Sequence, residues 1–535
     1  MAKEEINLSQ ERWRLYTAAA IAVITLIYLG TRSQAYNFDG TVFALYLRYS
    51  TATGDLIRVV HPHHLLYQPL AHLFYRALEL LSYEPVTIFA LELMSTLFGL
   101  FGLILFLSLL KKLGHPPMIR FFFLLVLAFS FGYYLFSLEA EVYIISCFFL
   151  TATFLSFITA LEKKSAPLLF LAGILFGLSV LAHITNFLLL PACLYLLKKR
   201  EPKSYLCFIG PALLLPASAY GIVIMSKGFP NLSATLSWFL GAAANQMPGT
   251  TINRWSASPI NPWISLKTLG EAVVTSKLYP EKSLPLLSQI VRYLVLLFAF
   301  LLFLLPLLRI RKKEKIFIAS LIWFCSYLVF FSFWDVGALE FFIAILIPFT
   351  IILSFGGREL LKSLSFRRGI ALFSLFIGLL FLINFTYGIK PRTKAENNLN
   401  YQKALFVKEK TKPSDVVVIL GYPGIGFNYG KIYIPYFAER EVIILDWLVG
   451  KGDEKALSRF ENLLRGKLAA GKRVFLLSEV IDDCPARRAF LKSHRITKEI
   501  FEGFIHRFVL IPEAEFSPDF RLIRLLPPPN YLKGN

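Results

Sequence analysis

The sequence predicts a polytopic α-helical membrane protein that ends in a small α/β domain. Three observations carry that prediction. Hydrophobic residues fill 56% of the 535 positions and charged residues only 17%, where a soluble globule averages about 25% charged. The apolar residues come in blocks of roughly 20, the length that crosses about 30 Å of hydrocarbon as a helix. Beyond residue 389 the blocks give way to short strand-like runs separated by polar helical ones.

About eleven spans are expected, near 13–30, 85–110, 120–138, 140–161, 166–183, 184–198, 204–226, 286–309, 315–334, 339–356 and 369–389. The first shows no cleavable-signal pattern and is long enough to stay as a helix. The block 64–83 is different. Its polar residues Gln68, His72, Tyr75, Arg76, Glu79 and Ser82 recur every three or four positions, which describes an amphipathic helix lying in the interface.

The net charge of +21 raises nucleic acid as a partner, and its distribution argues against one. With the N-terminus in the cytoplasm, Lys111-Lys112 with Arg120, Lys163-Lys164, Lys198 to Arg200, Arg309 to Lys315 and Arg358 to Arg368 all fall inside. That is the side on which membrane proteins keep their basic loops. Counting 64–83 as a span would turn every cluster outward. The expected location is the plasma (inner) membrane, with a transmembrane domain over 1–389 and an extracytoplasmic (periplasmic) domain over 390–535.

In the C-terminal domain "DVVVIL" (415–420), "EVIILD" (441–446) and "KRVFLLS" (472–478) read as buried strands and 453–471 as an amphipathic helix closed by glycine. Strands alternating with helices predict an α/β layer with a partly parallel sheet. "LGYPGIGFNYG" is glycine-rich but lacks the Lys-Ser/Thr of a phosphate loop and the full dinucleotide fingerprint, so it reads as a turn. Of five cysteines, four lie in apolar blocks and Cys484 is alone in the tail, which gives no disulfide framework.

What faces outward is the first outer loop, 31–84, a second at 227–285, and short turns carrying Glu139-Ala140-Glu141, His183 to Asn186 and Trp334-Asp335. Ionisable groups at membrane depth are costly and mark functional cavities, and most of this chain's embedded acids and histidines lie on that side. Asp39 follows the first span; a carboxylate there can take a proton from a hydroxyl nucleophile, while its bland reading is an Asp-Gly turn. Three of eight histidines sit in "VVHPHHLLYQ". Pro62 forbids a regular helix through His61, His63 and His64. They anchor the interfacial helix among headgroups, bind a phosphate or substrate hydroxyl with Arg58 as the fixed charge, or, with fewer ligands than zinc usually takes, hold a metal. Glu139 and Glu141 cap a helix or hydrogen-bond a sugar, and His183 ends a span on the same side. Trp334 beside Asp335 and Glu340 is ordinary interfacial composition, or a surface on which a sugar ring stacks. Loop 227–285, with Trp238, Arg254, Trp255 and Trp263, reads as a lid.

In this order the pieces resemble the GT-C membrane glycosyltransferases, and more narrowly the protein O-mannosyltransferase-like domain family. The likeness rests on Asp39 after the first span, "HPHHLLY", Ala140-Glu141-Val142-Tyr143 at a helix start, and "GLSVLAHITNFLLLPA", and covers roughly 30–195. Two features depart from the pattern. Gly40, Thr41 and Val42 follow Asp39 where members often carry a second acid, and the interval from Asp39 to His61 is longer than usual. The resemblance implies a mannosyltransferase-like enzyme that transfers a sugar from a polyprenyl-phosphate donor to a protein, lipid or glycan hydroxyl at the outer membrane face, with inversion. It makes Asp39 the base, sets Arg58 and His61, His63 and His64 on the donor phosphate, and places Glu139, Glu141, His183, Trp334 and Asp335 about the sugar or acceptor. The carrier needs no metal for this step; some members use a divalent ion, so metal stays open. Competing readings are a lipid-linked glycan transporter, a non-catalytic glycan-binding relative, and an O-antigen-type ligase or polymerase. The last is expected to use Arg and His in a late outer loop, and loop 227–285 has one arginine, Arg254, and no histidine.

Overall fold

The computed structural model describes residues 2–198, 200–244, 246–247, 250–251, 255–280, 282–309, 314–449 and 454–527. The chain divides into two units, Met1–Ala243 with Asn253–Lys394 and Ala244–Ile252 with Ala395–Asn535.

The first unit is helical. In chain order come α1 (Ala2–Gly30), α2 (Phe38–Thr53), the single turn α3 (Leu56–Val59), α4 (Tyr67–Leu80), α5 (Thr87–Lys112), α6 (Pro117–Phe129), α7 (Phe131–Phe136), α8 (Tyr143–Lys163) and α9 (Ala166–Ala182). They are followed by α10 (Leu190–Leu197), α11 (Pro202–Lys227), α12 (Leu232–Ala244), α13 (Asn261–Val273), α14 (Leu286–Ala299), α15 (Lys315–Phe331), α16 (Ile343–Leu361) and α17 (Phe366–Ile383). Among the described residues seven helical stretches are long and apolar enough to cross a membrane: Glu11–Gly30, Thr87–Lys112, Tyr143–Lys163, Pro202–Lys227, Leu286–Leu308, Leu339–Leu361 and Arg367–Thr393. Shorter apolar helices at Pro117–Phe129, Ala166–Ala182, Ile184–Leu197 and Lys315–Phe331 stand where the sequence expects the remaining spans.

Three local differences from the expectation have physical causes. The span expected over 120–138 is two helices, broken at Ser130, whose backbone is extended. A break inside an apolar unit frees carbonyls that must find donors. The Tyr28 hydroxyl donates to the Ala128 carbonyl at 2.6 Å and the buried Asn384 amide to the Phe129 carbonyl at 2.8 Å. The loop expected over 31–84 contains α2, which starts because the Asn37 side chain caps it and stops at Gly54 in the left-handed conformation (φ 75°). In loop 227–285, α13 is no open lid: Ser265, Leu269 and Ala272 are buried.

The interfacial block is helical from Tyr67 to Leu80 and preceded by a turn through the histidines, in which the His64 amide donates to the His61 carbonyl at 3.2 Å. Its polar edge holds the protein: Arg76 donates to the Thr51 carbonyl at 2.8 Å and Gln68 to the Phe43 carbonyl at 3.3 Å. Leu73, Leu80 and Leu81 are 67%, 87% and 77% exposed, an apolar stripe left for lipid.

Helices α9 and α11 touch where Gly173 lets the α11 backbone in. A methyl group at Gly173 would meet the Phe208 carbonyl and stand 2.6 Å from Pro211. Small residues at such contacts are how membrane helices approach closely. Gly173→Val is expected to cost about 1–3 kcal/mol by overpacking, read as a lower thermal midpoint in detergent; an unchanged midpoint would mean that the helices part freely.

The second unit is built on a five-stranded sheet in the order 441–444, 416–419, 474–477, 520–526, 509–517. The first three strands are parallel and the last two add antiparallel. Val416 and Leu476 of the sheet pack with Phe460 and Leu464 of the helix Glu454–Ala469. The glycine-rich loop after Ile419 folds around a carboxylate from its own domain. Glu479 accepts from the Leu420 amide at 3.0 Å and the Phe427 amide at 2.7 Å. Gly426, at φ 71°, leaves room for it where any side chain would strike its Oε2.

Candidate functional site

The site begins at the first turn of α2. The Asn37 Oδ1 accepts from the Gly40 amide at 2.6 Å, while its Nδ2 donates to Glu139 Oε2 at 2.9 Å. One side chain thus caps the helix and ties it to the turn 139–142. Asp39 lies in this first turn, where the helix dipole favours negative charge, and is exposed. Gly40 presses on that turn: a Cβ there would stand 2.7 Å from the Ala140 carbonyl.

Glu139 and Glu141 are both buried, at 7% and 5% exposure, and their surroundings differ. Glu139 accepts from Asn37 and, at 3.4 Å, from Ser33, with the Arg392 Nε 3.9 Å away. Burial raises its pKa, and Arg392, Asn37 and Ser33 pull against that. Glu141 is pushed well above the usual carboxylate range, by burial first and then by Asp39, Glu139 and Glu340, with the Val142 amide opposing. An exposed carboxylate beside a buried one whose charged form is disfavoured is the arrangement that separates acid and base roles.

The histidine turn is pinned to the end of α9. The Leu66 amide donates to the Leu181 carbonyl and the Ile184 amide to the His63 carbonyl, both at 2.9 Å, and the Tyr220 hydroxyl donates to the Pro62 carbonyl. The His61 and His64 rings stack at 4.1 Å, His63 meets His61 edge-on at 5.2 Å, and His64 lies parallel to His183 at 6.2 Å. The His183 Nδ1 and the Thr185 hydroxyl share a hydrogen bond of 2.7 Å. Both ring nitrogens of His64 and the Tyr67 hydroxyl are buried with no hydrogen-bond partner. Such orphans cost about 1–3 kcal/mol each and point to a group that completes them.

Phe43, four residues and so one turn after Asp39 on α2, joins the two clusters. Its ring is 5.4 Å from His64 and 4.7 Å from Tyr67, and Tyr67 in turn feels the Glu141 charge. Tyr143 and Phe341 close the far side, at 5.6 and 6.0 Å from His183. The start of α2, the histidine turn, the turn 139–143, His183 and Glu340-Phe341 therefore converge.

Three sequence candidates stand apart. Arg58, on α3, donates to the Tyr49 hydroxyl at 3.2 Å, and Tyr49 lies ten residues, about 15 Å, along α2 from Asp39. Trp334 is 4% exposed and packs on Phe341 at 4.7 Å, which makes it part of the wall rather than an open stacking surface. Asp335 follows it in a left-handed turn, φ 48°. Arg254 lies outside the described residues. Among the described residues no three His, Cys, Asp or Glu side chains converge as a metal site. Sequence reasoning missed Asn37, Tyr67 and Arg392; only Asn37, three before a glycine whose amide it caps, left a local signal.

Two solved structures resemble the whole chain. ArnT from Cupriavidus metallidurans bound to undecaprenyl phosphate matches with a TM-score of 0.59 at 11% identity, over 96% of this chain and 97% of that one. The apo state of the same protein matches with a TM-score of 0.61 at 11% identity, over 97% and 98%. The chain shares the fold of these ArnT structures, a membrane fold of the GT-C-like kind that the sequence predicts. No family model matches the sequence, and no curated protein does either.

Within this fold two of the four imidazoles, those of His64 and His183, are held neutral. Burial, then His61, His183 and His63, hold His64 well below the ordinary histidine value, and burial, then His63 and His61, lower His183 to about 3. A histidine so depressed from about 6.5 stabilises the fold fully above 6.5, and that stability drains away as pH falls toward 3, by about 1.4 kcal/mol per unit. The thermal midpoint of the wild type is expected to fall more steeply between about pH 6.5 and 4.5 than that of His183→Asn. Parallel slopes would show that the imidazole accepts its proton without penalty.

Proposed function

We propose that this protein is an integral-membrane glycosyltransferase that moves a sugar from a polyprenyl-phosphate carrier to a hydroxyl acceptor, with inversion. The observation that carries the reading is the exposed Asp39 carboxylate within charge range of buried Glu141, one turn of α2 before Phe43, whose ring meets the histidine cluster. Further support comes from the similar fold of a protein solved with undecaprenyl phosphate. The acceptor hydroxyl gives its proton to Asp39 as its oxygen bonds to the anomeric carbon. The carbon–oxygen bond to the carrier breaks on the opposite face, and its electron pair leaves on the polyprenyl phosphate. Neutral His64 and His183 offer hydrogen bonds rather than charge, so Arg58 is the proposed cation for the leaving phosphate, with His61 and His63 beside it. Glu139 holds Asn37 and the start of α2; Glu141 and Asp335 orient the sugar or acceptor, against the wall that Trp334 backs.

The distribution of basic loops supports an N-terminus in the cytoplasm of a plasma (inner) membrane, with the site and the domain from about 390 onward on the other side. The test offers the purified chain, in nanodiscs, a panel of polyprenyl-phosphate hexoses that includes mannose, with hydroxyl acceptors. Release of free polyprenyl phosphate together with an inverted glycoside supports the reading. Saturable donor binding without release would replace it with glycan binding or transport.

A further inference from the structure

A polar cavity lies toward the far end of α5, away from the candidate site. It holds about 610 Å³ between α1, α5 and α6, with Arg14, Lys111, Arg120 and His115 in its lining and Ile21 and Leu107 among its apolar walls. Glu92 lies on α5 within charge range of Glu139, and Lys111 follows it nineteen residues later on the same helix, about 28 Å at 1.5 Å per residue. That is close to the hydrocarbon thickness of a bilayer, so a cavity at this level faces the headgroups of the other leaflet.

Its cations lack counter-charges among the described residues. Among the described residues no acid pairs with Arg14, Lys111 or Arg120; nearby Glu162 is engaged by Lys112 and Glu314 by Arg358. The Arg120 Nε is buried without a hydrogen-bond partner, and so is the Nδ1 of His115, a residue only 4% exposed. The Ser354 hydroxyl donates its one proton to the Ile351 carbonyl at 2.6 Å, so at 2.9 Å it accepts from His115 Nε2. Nδ1 is then left as a bare acceptor. The first turn of α6 opens on the cavity at Pro117, with no side-chain cap on its free amides. By contrast the other basic cavity, around Lys164, Arg200 and Lys203, contains Glu201, and its Arg200 already donates to the Leu161 carbonyl.

We propose that this cavity binds the phosphate of an anionic phospholipid, its headgroup seated among Arg14, Lys111 and Arg120 and its acyl chains running along Ile21 and Leu107. Basic pockets between membrane helices suit such headgroups. The glycerol hydroxyl of a phosphatidylglycerol supplies the donor that His115 Nδ1 lacks.

The test measures binding to the full chain in a neutral detergent, by native mass spectrometry and by the shift in thermal midpoint. The probes are phosphatidylglycerol, phosphatidylcholine of the same chains, and inorganic phosphate. Phosphatidylglycerol is expected to bind and raise the midpoint where the other two do not. Arg14→Gln/Arg120→Gln is expected to weaken it about thirtyfold, and Lys111→Gln, at the exposed rim, about fivefold; Arg14→Lys/Arg120→Lys should retain most of the binding. Equal shifts from both lipids, undiminished phosphatidylglycerol affinity in Lys111→Gln and the double variant, or a shift reproduced by inorganic phosphate alone would each overturn the proposal.

Discussion

Asp39→Asn is expected to lower sugar transfer on the order of a thousandfold or more, with donor binding little changed. The amide keeps the size and position of the carboxylate but cannot take the acceptor's proton. The side chain is exposed at the first turn of α2 and the amide keeps its shape, so the fold should persist. Release of polyprenyl phosphate and the donor affinity, measured on the same preparation, separate chemistry from binding. Transfer at the wild-type rate would move the base elsewhere, and Glu141, whose burial disfavours its ionised form, would be the next group to replace.

Gly40→Ala should disable the site without touching a reacting group. The new methyl would stand 2.7 Å from both the Ala140 carbonyl and the Asn37 Oδ1. Neither can yield freely: Ala140 is backbone, and Asn37 bridges the α2 amide and Glu139. Relief moves the start of α2, and with it Asp39, relative to Glu141. A displacement near 1 Å at a reacting group costs about a hundredfold in rate. The expected result is that loss in turnover, with a well-folded protein and a smaller change in donor affinity. Wild-type turnover in Gly40→Ala would show that the register between α2 and the turn at Ala140 is slack. This contact also bears on the missing second acid after Asp39: at Gly40 no side chain fits.

The apolar blocks announced the membrane fold, because hydrocarbon imposes both composition and length on whatever crosses it. The interfacial helix was legible through its polar period, and "HPHHLLY" marked the place where rings gather. What the sequence concealed is long-range. Ser130 sits inside an otherwise apolar run, and the helix can end there because Tyr28 and Asn384, the latter 255 positions from Phe129, supply donors to the freed carbonyls. Glu139 read as a capping acid, while its structural partners are Asn37 and Arg392, far away on either side in the chain. Trp334 looked like an interfacial ring, and its burial depends on Phe341 folding back over it. Side-chain type was visible in each case; the contact that gives it meaning was not.

The Glu479 carboxylate, lodged among the amides of the glycine-rich loop, has a consequence for how the C-terminal domain lives. Loops of this kind elsewhere lend their amides to a visiting phosphate. Here the berth is taken by a permanent resident that arrives with the polypeptide. The loop therefore takes its shape from a carboxylate of its own domain, with no bound phosphate needed to hold it.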